Sequence, residues 1–463
     1  MALTSFLTVS KHIQSILNEN HIDSRRDAGP GLWVSALLPT SIIIGQIKYS
    51  TTYKYKAAAC ISCGLLLHTI LHLIKTYHLK PSSSCDIILT SLVTFLLLNY
   101  FTLEGLLLSA VFSSICMFCY PKIILPLMKL CPYSFTYGEA TLICQSFIIF
   151  LITFLVREDN HSQNCMEIGT TVLQFGIICL VGIVTLSYYH DLKGRPLEFY
   201  CLVGFIVIFV LIPSLNFLIG ENPLKWVFHL VTEDAVTIKL MGFWSICTIL
   251  AVVAVLTQVG SNEKATTAIR KVFHLLALLV FVPGIIFKPC LLYVASGVVF
   301  AIFIFLDTLR ILEMPPLGGI LQDGFSKFSD EKDEGPVALT PIYLLAGCAL
   351  PLWMHPAAGN FLPDILPLIS GLLSVGIGDS AASICGSLVG KNKWPGSKKT
   401  KEGTAACFLS QLFLVIALIH YGYVPRTNLI RPTFAIAICS LVEAKTEQVD
   451  NIVLPLLMYI MLM

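Results

Sequence analysis

From Phe199 to Ile219 the chain carries no charged side chain. A run that long and that apolar has one stable home, a lipid bilayer about 30 Å thick, which takes roughly 20 helical residues to cross. In hydrocarbon only a helix or a closed barrel pairs all of its own backbone N–H and C=O groups. The pattern recurs at 32–47, 57–74, 87–103, 105–119, 139–156, 168–189, 240–257, 272–288, 290–306, 339–354, 363–389, 404–420, 433–442 and 451–463. The expected fold is therefore all-α, a polytopic transmembrane helical bundle of about 13–15 spans. The run 433–442 is short for a span and is expected to dip in, tilt, or extend through Glu443 as a polar helix end. Composition agrees: 56% of residues are hydrophobic and 13% charged, against about 25% charged in a soluble domain.

The N-terminus lacks the basic flank, short apolar core and small-residue cleavage site of a removable signal peptide, so the first apolar run is expected to target the chain. Most of the 16 cysteines lie inside apolar runs, which points to packed membrane thiols rather than a disulfide framework. Cys60/Cys63 and Cys116/Cys119 have metal-like spacing but little acid or histidine nearby. Basic residues favour cytoplasmic span ends. With residues 1–31 as a cytoplasmic segment, most of the 30 Lys and Arg fall on that side, and the sequon Asn160-His161-Ser162 falls on the lumenal side. Residues 32–258 then form a transmembrane scaffold without a cluster of reactive side chains. Residues 259–463 carry the chemistry, with a cytoplasmic loop at 387–403. A second polar stretch, 307–338, contains Asp330-Glu331-Lys332-Asp333-Glu334 and reads as a solvated loop.

The informative stretch begins at Gly376-Ile377-Gly378-Asp379. A carboxylate at the centre of an apolar helix is unfavourable by about 2.5–3.5 kcal/mol and calls for a partner or a task. On a helix Asp379, Ser383, Gly386 and Gly390 share one face, where small residues admit a ligand or a neighbouring helix. The loop that follows, GKNKWPGSKKTKEG, holds Lys391, Lys393, Lys398, Lys399 and Lys401. Such charge suits a helix C-terminus and phosphate oxygens, and equally suits positive-inside topology or anionic lipid. Trp394-Pro395-Gly396 places an aromatic platform among the lysines, on which a nucleotide base can stack. Thr400, Gly403 and Thr404 precede another helix, whose free N–H groups offer a second anion site. Gly386 to Lys391 is not a Walker A loop: it has three residues between the glycines, and Asn392 stands where a hydroxyl should. Glu443, Glu447 and Asp450 share a face if their segment is helical, and three close acids call for a cation or a base. Arg270, Lys271 and His274 open another span as potential phosphate or substrate contacts, or as an interfacial anchor.

These residues together resemble the dolichol kinase family of CTP-dependent lipid-alcohol kinases. The resemblance rests on RKVFH (Arg270–His274), LTPIYLL (Leu339–Leu345), the stretch Gly376–Thr404 and EAKTEQVDNIVLP (Glu443–Pro455), and covers roughly Ser261 to Met463. It implies an endoplasmic reticulum membrane enzyme that transfers the terminal phosphoryl group of CTP to dolichol, with a divalent metal, Mg2+, and no nucleic-acid partner. It maps CTP binding onto Ser387 to Glu402: Ser387, Gly390, Lys391, Lys393, Trp394, Pro395, Gly396, Ser397, Lys398, Lys399, Thr400, Lys401 and Glu402. Asp379 is then the expected metal ligand or hydroxyl-activating group, with Glu443, Glu447 and Asp450 as further catalytic or metal candidates. The competing readings are a CTP-dependent kinase for diacylglycerol or phytol, a lipid-phosphate cytidylyltransferase, and a transporter with a charged gate.

Overall fold

The computed structural model describes residues 2–77, 84–102, 105–156, 164–261, 263–329, 333–356, 365–425 and 429–463. The sequon Asn160-His161-Ser162 and the acids Asp330 and Glu331 lie outside the described residues. Within them the chain is built of helices: α1 (Ala2–Glu19), α2 (Leu37–Lys48), α3 (Tyr53–Tyr77), α4 (Ser84–Phe101), α5 (Leu106–Leu130), α6 (Tyr137–Leu155) and α7 (Cys165–Tyr189) in the first part. There follow α8 (Pro196–Ile219), α9 (Pro223–Thr232), α10 (Ala235–Gly260), α11 (Thr267–Phe287), α12 (Pro289–Ile311) and α13 (Leu317–Phe328). The last are α14 (Leu339–Met354), α15 (Leu372–Val389), α16 (Lys401–His420), α17 (Ile430–Lys445) and α18 (Asp450–Leu462). Among the described residues 10 helices are long and apolar enough to cross a membrane, accompanied by four shorter apolar ones. This is the expected all-α polytopic bundle. Side chains such as Phe209, Phe217 and Ile246 remain exposed, as they must where the surrounding solvent is lipid.

Helix ends follow local chemistry. Pro196, Pro223 and Pro289 open α8, α9 and α12, where a missing N–H leaves no helical bond unmade. Thr136 and Glu139 form a reciprocal capping box on α6. The run 433–442 extends through Glu443 to Lys445 as α17, the polar helix end expected of it. Residues 307–338 are not a simple solvated loop. They hold the end of α12 and all of α13, and the charges of Asp307, Arg310 and Asp333 are met within the fold. Arg310 meets Asp307 at 2.7 Å and donates to Gln322 Oε1 at 3.0 Å. Asp333 is buried and its Oδ1 accepts from the backbone N–H groups of Leu339 and Thr340 at 3.2 and 3.1 Å, which caps α14.

The largest buried cluster joins residues of α1–α6 to Leu339, Tyr343, Val453 and Tyr459 of α14 and α18. A second lies among α10–α12 and α14–α18. The helices meet tightly at glycine: a Cβ on Gly347 of α14 would stand 1.7 Å from the Asn451 carbonyl oxygen of α18. Only glycine permits that approach, and it brings α18 against α14 beside the polar cavity described next.

Cysteine usage departs from expectation at one place. Cys60, Cys63, Cys116 and Cys119 are free thiols in packed helices, as expected. Cys165 and Cys290, 125 residues apart, form a disulfide between the N-terminal ends of α7 and α12. Neither residue lies within a run counted as a span except at its edge, so membrane burial does not account for them.

Candidate active site

The lysine-rich loop is a short hairpin. Lys393 and Thr400 form an antiparallel bridge, Trp394 N–H donates to Lys399 O at 3.0 Å, and Lys401 N–H donates to Asn392 O at 2.7 Å. Its turn closes with Ser397 N–H on Trp394 O at 3.2 Å. Proline at the second position and Gly396 at the third, with φ of 73°, are the residues a type II turn requires. Ser397 Oγ ties the hairpin to α17 through Ala444 O at 3.0 Å. Glu402 accepts from the Asn392 backbone and side-chain N–H groups, so its carboxylate closes the loop rather than facing a ligand. Thr400 is the N-cap of α16, its hydroxyl accepting from Gly403 N–H at 3.2 Å. One of the N–H groups expected to be free for an anion is thus already taken.

Beside the hairpin lies a cavity of about 410 Å3. Lys398, Lys399 and Thr400 form one wall, and Arg270, Lys271 and His274 at the start of α11 form another. Asp379, Ser383, Gly386 and Ser387 come from α15, and Glu443 and Asp450 from α17 and α18. Asp379 closes a π-helical turn, Leu372–Asp379, before α15 continues as an α-helix. Widened turns of that kind recur at functional sites, where they re-aim a side chain. Asp379 Oδ2 is paired with the Lys271 ammonium and stands 3.5 Å from His274 Nε2. Lys399 Nζ lies 2.5 Å from Glu443 Oε1 and 3.8 Å from Asp450 Oδ2. Burial works to lower the Lys399 pKa, but Asp450 and Glu443 outweigh it and hold the ammonium above its ordinary value. Lys399 stays charged.

The acidic stripe is not continuous. α17 ends at Lys445, Thr446 is extended, and helix resumes only at Asp450. Glu443 and Asp450 therefore reach the cavity while Glu447 turns away, its Oε2 accepting from Gly29 N–H at 2.9 Å. The break is held by the N-terminal part of the chain. Arg25 Nη2 donates to Glu139 Oε1 at 2.9 Å and to Glu447 O at 3.0 Å. The same Glu139 oxygen accepts from Val449 N–H at 2.8 Å. Gln448 bridges Gly29 O and the Thr136 hydroxyl at 2.9 and 2.6 Å.

The structure thus gathers Asp379, Glu443, Asp450, Arg270, Lys271, His274, Ser387, Lys398, Lys399 and Thr400 around one cavity. Lys391, Lys393, Pro395, Gly396 and Lys401 do not line it. Trp394 also stands outside the wall: its indole N–H donates to Thr404 Oγ1 at 2.9 Å, and the Lys401 and Lys445 ammonium groups each sit 5.7 Å from the ring centroid. Gly390 packs against the Thr400 side chain. Among the described residues no three His, Cys, Asp or Glu side chains converge as a ready-made metal cage. The donors still fit a hard cation, because Mg2+ in phosphoryl-transfer sites takes one or two carboxylates and completes its shell with water and substrate phosphates. Asp379, Glu443 and Asp450 supply such oxygens.

Sequence reasoning missed Arg25, Glu139 and Asp333. The capping-box spacing from Thr136 to Glu139 was a signal for one of them; the others depend on contacts no local pattern encodes.

Comparison with known proteins places the chain in a family. The family model described as dolichol kinase matches residues 59–396, so the likeness reaches well before Ser261. The chain is 35% identical to human dolichol kinase and 34% identical to the mouse protein, over 73% of this chain and 66% of each relative. It thus matches just under two thirds of their length. Dolichol kinase EVAN of Arabidopsis thaliana is 26% identical over 100% of this chain and 93% of its own. No solved structure matches the chain significantly.

Proposed function

Because the chain belongs to the dolichol kinase family, we propose that it transfers the terminal phosphoryl group of CTP to the hydroxyl of dolichol, giving dolichyl phosphate and CDP. The observation that carries this reading is one cavity in which cationic groups from two walls face the carboxylates of Asp333, Asp379, Glu443 and Asp450. Phosphoryl transfer asks chiefly for alignment and charge neutralisation, and those are the groups that supply them.

In this reading Lys398 and Lys399 take the triphosphate from one side, with Arg270 and Lys271 opposite, through charge-assisted hydrogen bonds. Asp379, Glu443 or Asp450 would hold a divalent cation, whose charge would help neutralise the triphosphate. The lipid oxygen forms its bond to the terminal phosphorus as the bond to the CDP oxygen breaks. The hydroxyl proton passes to a carboxylate of the cavity, for which Asp379, buried and oriented by Lys271 and His274, is the best placed. The isoprenoid tail stays in lipid, and only its alcohol end needs to reach the cavity.

The reading further assigns the enzyme to the endoplasmic reticulum with the cavity on the cytoplasmic side. The disulfide supports that orientation. Cys290 follows the far end of α11, 16 residues and about 24 Å beyond Lys271, and disulfides persist in the lumenal rather than the cytosolic compartment. The decisive assay gives purified protein dolichol with CTP labelled in its terminal phosphate. Labelled lipid monophosphate with release of CDP is expected. Pyrophosphate release, or no transfer by a preparation that melts cooperatively, would defeat the proposal.

A further inference from the structure

A serine inside a helix either turns its hydroxyl back onto a carbonyl of the preceding turn or offers it outward. Two serines of α15 turn back: Ser374 Oγ donates to Ser370 O at 2.8 Å, and Ser387 Oγ donates to Ile384 O at 2.9 Å. Ser383, between them, does neither this nor anything equivalent. Among the described residues its hydroxyl makes no hydrogen bond, and the residue is half-buried in the wall of the cavity. Alanine, as at the neighbouring Ala381 and Ala382, would suit the helix better. The Ser383 hydroxyl is therefore spare within the protein and open to a guest.

The proposed reaction brings two polar guests, a triphosphate and a lipid alcohol, and the place of Ser383 on α15 discriminates between them. At about 100° per residue, Gly386 lies to one side of Ser383, and there it packs on Thr400 of the hairpin whose lysines serve the phosphates. To the other side follow Ser387, Ile384 and Leu388. Ile384 and Leu388 are 48% and 78% exposed, and on a helix of spanning length such side chains face lipid. Ser383 thus stands between the Asp379 carboxylate and the lipid-facing flank, one turn from Asp379, where side chains begin about 5–6 Å apart. An alcohol oxygen close enough to pass its proton to Asp379, about 3 Å away, is within reach of the Ser383 hydroxyl too. A hydroxyl can donate and accept at once, which suits a neutral alcohol on a hydrocarbon chain. We propose that Ser383 binds the acceptor: its hydroxyl makes a hydrogen bond to the alcohol group of the lipid and holds it against Asp379. This rests on the lipid-kinase reading given above and adds to it the residue that receives the acceptor.

Ser383→Ala removes the hydroxyl and nothing else. Dolichol phosphorylation should be measured in mixed micelles with dolichol and CTP varied separately, alongside the melting temperature of the same preparations. The expected result is a fall of about tenfold in kcat/KM for dolichol, an unchanged KM for CTP, and a melting temperature equal to or above wild type. An unchanged kcat/KM for dolichol in an active wild-type background would overturn the role of Ser383 alone. So would a rise in KM for CTP, which would place the hydroxyl on the nucleotide, or a loss of activity accompanied by a lower melting temperature, which would mean that the hydroxyl is paired within the protein. Absence of dolichol turnover in the wild-type enzyme would overturn the underlying reading and the inference with it.

Discussion

Glu139 Oε1 receives the backbone N–H of Val449 at 2.8 Å, so a residue of α6 sets the position of the residue beside Asp450. The same oxygen meets Arg25, and both side chains are almost fully buried, at 2% and 5% exposure. Replacing one partner of such a pair leaves an uncompensated charge, which typically costs about 3–5 kcal/mol. Glu139→Gln should lower the melting temperature, and Arg25→Met added to it should restore much of the loss by removing the stranded charge. If the single and double variants melt alike, the clamp on the 446–449 segment is not held by this pair.

Asp379→Asn presents a different balance. An isolated intramembrane carboxylate would gain stability on becoming an amide, but Asp379 is paired with Lys271 and lies near His274. Neutralising it strands the Lys271 ammonium. The expected outcome is loss of turnover by about 100-fold or more together with a lower melting temperature. Lys271→Met combined with Asp379→Asn should recover the melting temperature and not the activity. Recovery of both would remove Asp379 from the reaction.

Lys398 and Lys399 are neighbours in sequence and differ in what they hold. Lys399 supports Glu443 and Asp450, whereas Lys398 is exposed along the cavity wall. Lys398→Ala should raise KM for CTP by about tenfold through one lost charge-assisted bond, with little change in melting temperature. Lys399→Ala should impair both. Equal and purely kinetic effects of the two substitutions would contradict the arrangement around Glu443.

Sidedness is open to direct measurement. Lys391 is exposed on the hairpin, so Lys391→Cys in sealed, right-side-out microsomes should gain labelling by an impermeant maleimide over the wild-type background. Reduction of the wild-type protein should release two further thiols, from Cys165 and Cys290, that become reachable only once the vesicles are opened. Immediate access to both sets from outside would refute the proposed orientation.

The bundle itself was legible because apolar runs of spanning length leave few alternatives to helices in lipid. Asp379 was legible for the related reason that a carboxylate inside such a run stands out, and Lys399 because of its dense basic neighbourhood. The division of Glu443, Glu447 and Asp450 was not. Their spacing fits one helical face, and only the break at Thr446 turns Glu447 toward Gly29. Arg25 reads as one more cytoplasmic basic residue until its partner 114 positions away is seen. Cys165 and Cys290, at a separation of 125, offered no local pattern either.

The contact between Arg25 and the Glu447 carbonyl joins residues 422 positions apart, and this orders events during biosynthesis. A ribosome adding about 5–20 residues per second needs roughly 20 to 80 s to make the intervening chain. Glu139 is made much sooner, so the buried Arg25–Glu139 pair has its two members long before the segment it grips exists. The late-made 446–449 segment then finds both members of that pair already synthesised, and the wall of the cavity that Asp450 supplies is completed only when the segment docks.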